Sequence, residues 1–557
     1  MNKIFDNEYY DLIVSNSLVP DFDAGNNITV LNEKFSLLHI WKNSMDACDL
    51  GLYPYHNFPS LFTLTSKLSI EKSGIINVRK HPHLNLMGLG VLIGIVDTGI
   101  DYQHPAFRNH DGSTRILSIW DQTDQSGKPP EGFSFGSEYE KNHINTALKS
   151  TDPLAIVPTV DTNGHGTAIA SITSGSPNEK QSFTGVVPQT ELVVVKLKEA
   201  KENLKKLFFA PENALCYQES DIILGIRYLL SVSQKTDHPI VICIALGSSQ
   251  GGHDGLSVLS SYLDYIVQLP ITDVSVAAGN EANRRRHYFY YSAAEPFCNG
   301  FNLKIGENDK KFSMEIWPFP PGKITIEIFS PNREIVQSIY PSSRDCQKFS
   351  LSFGQTTIWI NNIILEGASG DQLILVRFDN PTPGIWYFQV SSTENEPFSF
   401  HSWLPSGNLI SNETFFYRSS PDTTITSPGN ARNPLTVAAY NQFDGRILGE
   451  SGRGYSRFGE IVPDVAAPGY HIPCALPGNQ YGSITGTGAA AAHAAGAAAI
   501  VLEWGFCKGN HTTVTGVQIN HMMMRGAYRN SAYTYPNNIW GYGQIDVYKL
   551  FQRIAAI

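Results

Sequence analysis

The stretch Gly90-Val-Leu-Ile-Gly-Ile-Val-Asp97-Thr98-Gly99-Ile100-Asp101 decides how the rest of the chain is read. An unbroken run of apolar residues and glycines ends there on an acid. Such a run suits a strand buried on both faces of a parallel sheet. Open α/β sheets place reactive groups at the carboxyl ends of their strands, so Asp97 becomes a candidate functional residue. Similar runs recur at 192–197, 240–246, 274–278 and 434–439, with helix-like stretches at 165–173, 221–231 and 256–268 between them. This alternation predicts a doubly wound α/β domain with a mostly parallel sheet.

The texture changes between about 295 and 420. Segments 311–317, 323–329, 356–360 and 385–390 alternate polar and apolar residues at period two, with Pro, Gly and Asn turns between them. They predict an antiparallel β-sandwich inserted into the α/β domain. Residues 1–66 read as a small α/β unit. The expected organisation is therefore an N-terminal unit (1–66), the first part of the core (67–294), the β insertion (295–420) and the second part of the core (421–557).

The 557 residues are ample for several domains and a large core. Lys+Arg is 41 against 51 Asp+Glu, a formal net charge of −10. That balance argues against an electrostatically driven nucleic-acid binder and gives no polybasic membrane anchor. With 42% hydrophobic and 17% charged residues, a largely disordered chain is excluded. The seven cysteines are scattered and form no CxxC pair, which argues against a disulfide framework or a zinc site. The opening MNKIFDNEYYDLIVSNSLVP has no basic region followed by an apolar stretch, so no secretory signal is expected. The longest nearly apolar run, 489–502, contains His493 and Gly496 and is too short to span a bilayer. His493 itself reads as a packing residue.

Two further segments join Asp97. Asn163-Gly164-His165-Gly166-Thr167 opens a helix, and Gly486-Thr487-Gly488-Ala489-Ala490 opens an Ala-rich helix running to about Trp504. Taken in order, these motifs resemble those of the subtilisin-like serine proteases, the subtilases. Ala277-Ala278-Gly279-Asn280 matches that family's oxyanion segment, and Pro463-Asp464-Val465-Ala466-Ala467-Pro468-Gly469 the stretch leading to its nucleophile. The resemblance covers about residues 67–552 apart from the β insertion. It implies that Asp97 orients His165, that His165 is the general base, and that Asn280 serves a developing oxyanion.

The third motif departs from the family. Gly488 stands where a subtilase has its serine, and glycine cannot form an acyl intermediate. Thr487, Thr485 and Ser483 are the nearby hydroxyls. A surrogate among them would have to sit within about 3 Å of His165.

By the same resemblance, residues 1–66 are a prodomain whose tail lies in the cleft, with the junction at Thr65 and Ser66. Without a nucleophile that junction should stay uncut. The insertion and the segments 90–102 and 116–122 look like the Csp subtilases of clostridial spore germination. Those proteins carry a retained prodomain and a jelly-roll insertion, and the pseudoprotease type among them is the most similar. The resemblance implies a spore protein. Its partners would be its own prodomain, an active Csp protease or other germination protein, and a small-molecule germinant. An active endopeptidase with a surrogate nucleophile, and a purely structural or inhibitory partner, are the competing readings.

The basic run Arg284-Arg285-Arg286, with Arg453 and Arg457, offers either a solvated loop or a surface for a carboxylate ligand or acidic partner. Asp101 and Asp161 lack the company of a carboxylate ligand set, so no metal site is expected, and no cofactor.

Overall fold

The computed structural model describes residues 2–21, 27–45, 50, 53–65, 75–80, 84–292, 295, 297–341, 346–352 and 355–554. Its centre is the strand Leu92–Asp97, every residue of which is buried. Glu191–Lys196 pairs with it in parallel on one side and Ile240–Ile244 on the other. The sheet continues in parallel through Thr272–Ala277, Leu435–Asn441 and Val465–Pro468 on one side, and through Ile116–Asp121 on the other. Its antiparallel ends are Arg446–Ile447 and Ser137–Glu140. This is the doubly wound, mostly parallel sheet that the apolar runs predict.

Alternate residues of the central strand feed two cores. Ile93 and Ile95 pack with the helices His165–Ser174 and Thr487–Leu502. Leu92 and Val96 pack with Glu219–Thr236 and Val258–Ile266. The helix Thr487–Leu502 is buried on every side, which explains its composition: alanine lets it lie close to the sheet. With its continuation to Cys507 it is long and apolar enough to cross a membrane, unlike the shorter run read from the sequence. In the fold, 83% of its apolar window is buried inside the protein.

The insertion is a sandwich of a six-stranded and a five-stranded antiparallel sheet around an aromatic core containing Phe301, Phe312, Phe378, Trp386 and Phe388. Its first strand, His287–Ser292, pairs with Phe398–Trp403 and so begins ahead of residue 295. The pattern HYFYYS hides this start, because aromatics fall on both of its faces. Among the described residues of the N-terminal unit are the antiparallel strands Tyr9–Ser15, Ile28–Val30 and Phe35–Trp41 and several 3₁₀ turns, but no α-helix. Five of the cysteines are free thiols, and Cys346 is disulfide-bonded.

The insertion and the core meet at a stack of rings. His253 of the core lies 4.1 Å from Trp403, nearly parallel to it, and His401 and His287 stack on the same indole. His287 Nε2 and His401 Nδ1 are 2.7 Å apart. Burial holds all three histidines neutral: it lowers His253 to about 4 and His287 to about 3, and pushes His401 down as well. The unfolded chain protonates these rings near pH 6.5, whereas the folded protein does so only at lower pH. Stability should therefore fall as pH drops from 6.5 toward 4, the window in which the unfolded state binds more protons. Calorimetric unfolding across that window should show the fall. His253→Gln should flatten it by up to about 1.4 kcal/mol per pH unit, and an unchanged slope would contradict the assignment.

Candidate active site

Asp97 ends the central strand, and His165 opens the helix that packs beside it. His165 Nδ1 lies 2.8 and 2.9 Å from the two carboxylate oxygens of Asp97. Both groups are buried, at 1% and 8% exposure. Glycine makes this approach possible: a Cβ on Gly166 would stand 2.2 Å from the Gly99 carbonyl oxygen.

Asp161 fixes the pair from behind. Its Oδ1 accepts from Gly164 N and from the Thr98 hydroxyl, both at 2.8 Å. Its Oδ2 accepts from Thr167 N and Thr167 Oγ1. Thr98 Oγ1 accepts in turn from Gly166 N at 2.9 Å. A carboxylate thus satisfies the first N–H groups of the helix, where its charge is also favoured by the helix dipole. Sequence reading took Asp161 only as a metal candidate and set it aside. Its position four residues ahead of His165 was the signal for an anchor of the helix start.

The other end of the cleft is built on Thr487. Its hydroxyl accepts from Gly279 N at 3.0 Å and donates to Asn280 Oδ1 at 3.1 Å. Asn280 Oδ1 also accepts from Thr487 N at 3.1 Å, which leaves the donor end of this amide for another acceptor. Thr485 Oγ1 accepts from His471 N, and Ser483 Oγ lies 3.4 Å from His471 Nδ1. All three hydroxyls therefore have partners away from His165. Among the described residues His165 Nε2 is buried without a hydrogen-bond partner, and Gly488 has no side chain to supply one.

The cleft is filled by the chain itself. Leu61–Leu64 forms the middle strand of a small antiparallel sheet, between Leu246–Gly247 and Tyr217–Gln218. Leu61 N donates to Gln250 Oε1 at 2.6 Å. Thr65 N donates to the Ala245 carbonyl at 3.1 Å, and the Thr65 hydroxyl to the same oxygen at 2.7 Å. The Thr65 carbonyl accepts from Gly488 N at 2.6 Å. A segment bonded on both edges, with its last carbonyl on the helix N-terminus beside Asn280, occupies the place of an extended peptide substrate. Ser66, the other half of the expected junction, lies outside the described residues.

The five arginines do not form one surface. Arg286 is buried, paired with Glu281 Oε2 at 2.9 Å, and donates to the carbonyls of Pro405, Gly407 and Ile410. Arg457 is fully buried between Asp371 and Asp254. These two correct the expectation of a ligand surface, because their charge is already matched by internal carboxylates and carbonyls. Arg284 and Arg285 are exposed, with Arg285 lying over the Phe415 ring at 3.7 Å. Arg453 is half-buried, and its N–H donates to Thr424 Oγ1. Among the described residues no group of three or more His, Cys, Asp or Glu side chains is placed to hold a metal ion.

A parallel sheet ending on Asp97, a helix opening on His165 and a second helix opening at Gly488 define the scaffold of a serine-protease-type hydrolase. The chain belongs to the subtilase family, whose model matches residues 88–295 and 332–543. Its fold is similar to that of the Clostridium perfringens CspB protease, with a TM-score of 0.76 and 28% identity, over 86% of this chain and 96% of that one. Subtilisin E of Bacillus subtilis is 32% identical over 126 residues, 23% of this chain and 28% of its own length. Subtilisin-like protease 10 of Arthroderma otae is 40% identical over 84 residues, 15% of this chain and 20% of its own. The chain thus spans only 20–28% of the length of these curated relatives, while its likeness to CspB extends over nearly the whole of that structure.

Removing Arg286 leaves Glu281 buried and unpaired. Arg286→Ala should lower stability by about 3–5 kcal/mol, and Arg284→Ala by no more than about 0.5 kcal/mol. Denaturant unfolding of the two variants checks this, and equal losses would refute the distinction.

Proposed function

We propose that the chain is a catalytically inactive subtilase, a pseudoprotease, whose N-terminal unit stays attached and fills the cleft. The observation that carries this reading is the pairing of a partnerless His165 Nε2 with a glycine at position 488. In a Ser-His-Asp triad, losing the nucleophile lowers turnover by about 2 × 10⁶. Thr487 is no substitute, because its hydroxyl is held between Gly279 and Asn280. Asp97, His165 and Asn280 then polarise and hold a peptide without cutting it.

The likeness to the CspB protease supports placing the chain among the Csp subtilases of clostridial spores. On this reading it regulates germination, as sensor of a small-molecule germinant or as regulator of an active Csp protease that activates a cortex-lytic hydrolase. The locked prodomain favours a binding role over hydrolysis. A ligand or partner would act through different affinities for two states of the chain.

A matched pair tests the chemistry. The natural chain should run as a single band and resist an active-site fluorophosphonate. Gly488→Ser should cut itself after Thr65 and take the label. Self-cleavage or labelling of the natural chain would overturn the reading, and a Gly488→Ser protein that neither cuts nor labels would refute a poised Asp97–His165 pair. For the regulatory role, spores lacking the chain should lose or retune their germinant response, and normal germination would reject it.

A further inference from the structure

The outer face of the insertion's five-stranded sheet carries a row of aromatic side chains. Ile335 stands opposite Phe329, Phe329 opposite Tyr387, and Tyr387 opposite Asn302. Tyr417 continues the row, its N–H donating to the Asn302 carbonyl at 3.1 Å. These positions alternate along their strands with Leu303, Phe388 and Phe416, which pack in the sandwich core. The row therefore faces outward. Ile335 is 57% exposed, Tyr387 38% and Tyr417 45%.

A glycine makes room for the central ring. A Cβ on Gly300 would stand 2.0 Å from the Tyr387 hydroxyl and 2.5 Å from its Cζ. Gly300 is not among the glycines with positive φ, so its use here is space. The Tyr387 ring runs along the sheet with its tip over Gly300, and the Phe329 ring lies 5.5 Å from it. Tyr387 and Tyr417 sit two strands apart, roughly 10 Å at the usual strand spacing. A disaccharide of an extended glycan covers that span.

Past Asn302 the row ends in a hollow of about 460 Å³, lined by Tyr288, Gly300, Phe301, Asn302, Tyr417 and Arg418. Cations gather at this end. Arg285 lies over the Phe415 ring at 3.7 Å, and Lys304 Nζ is 5.5 Å from the same ring. Phe415 is in turn 5.6 Å from Tyr417. Among the described residues none of Arg285, Lys304 and Arg418 is paired with a carboxylate. The acids of this face stand off the row: Glu327 is opposite Gln389, and Glu413, beside Gly306, is bonded by Asn308.

An amide and a lysine interrupt this patch, unlike the charge-depleted core of a protein interface. The mixture suits a sugar chain instead. A pyranose lays its C–H face on an aromatic ring while its hydroxyls reach amides, and a guanidinium grips a carboxylate with two bonds. We infer that this face binds a glycan chain bearing carboxylates, with sugar rings over Tyr387 and Tyr417, hydroxyls at Asn302 and a carboxylate at Arg418 in the hollow. The inference concerns the insertion alone and does not depend on the state of the triad.

The test uses the full chain and three hexasaccharides, titrated by calorimetry and ligand-detected NMR. Those of hyaluronan and oligogalacturonate carry carboxylates, and chitohexaose is neutral. At least one acidic probe should bind saturably, about ten times tighter than chitohexaose or more. Tyr387→Ala and Tyr417→Ala should each weaken it about tenfold. Arg418→Ala should bring the acidic probe to within about threefold of the neutral one. All three side chains are exposed, so the variants should keep the denaturation midpoint of the natural chain. No saturable binding of either acidic probe, equal binding of chitohexaose, or binding untouched by the three variants would each overturn the proposal. So would self-association of the chain that Tyr387→Ala abolishes, which would assign the row to a second copy.

Discussion

Everything in this molecule is arranged around a strand with no free edge. Leu61–Leu64 pairs with the core on both sides, and Thr65 ends it with its carbonyl on the amide of Gly488. The N-terminal unit is thereby drawn onto the core, and its apolar residues join Leu204, Leu207, Trp317 and Trp403 in one cluster shared by all three units. Loss of those backbone bonds would expose Leu61 and Phe62, which are fully buried. Each unpaired buried amide or carbonyl adds its own penalty. The arrangement is cooperative because neither the strand nor the surface it covers is satisfied alone.

The Asp97–His165 pair has the same character. Asp97 and His165 are supported by Asp161, Thr98 and Thr167 through bonds that also begin the helix. Such residues carry structural weight whether or not a nucleophile is present. Thr487 is bound the same way to Gly279 and Asn280. None of these bonds involves a side chain at position 488, so the site keeps its shape with glycine there.

The fold was legible in the sequence where the signal is local. The run ending at Asp97, the helix opened by His165 and the alternating segments of the insertion each state their structure within about ten residues, and the structure has elements at all of them. What failed to show depends on partners distant in sequence. Arg457 looks like a surface charge until Asp254 and Asp371 close on it from 203 and 86 residues away. Arg286 is read as one of a basic run, yet it alone turns inward to Glu281. Asp161 announces its bonds to the nearby Gly164 and Thr167 by position, but its link to Thr98, 63 residues earlier, has no local sign.

On the proposed reading the strand stays covalently attached, and this has a consequence for any outside peptide. A free chain seeking the groove between Leu246–Gly247 and Tyr217–Gln218 meets a resident joined to the same molecule, present at an effective concentration of roughly millimolar or more. Dilution does not remove such a competitor, and no excess of protein titrates it away. An outside peptide therefore gains the groove only when the resident peels back, and only at concentrations that rival the resident's own.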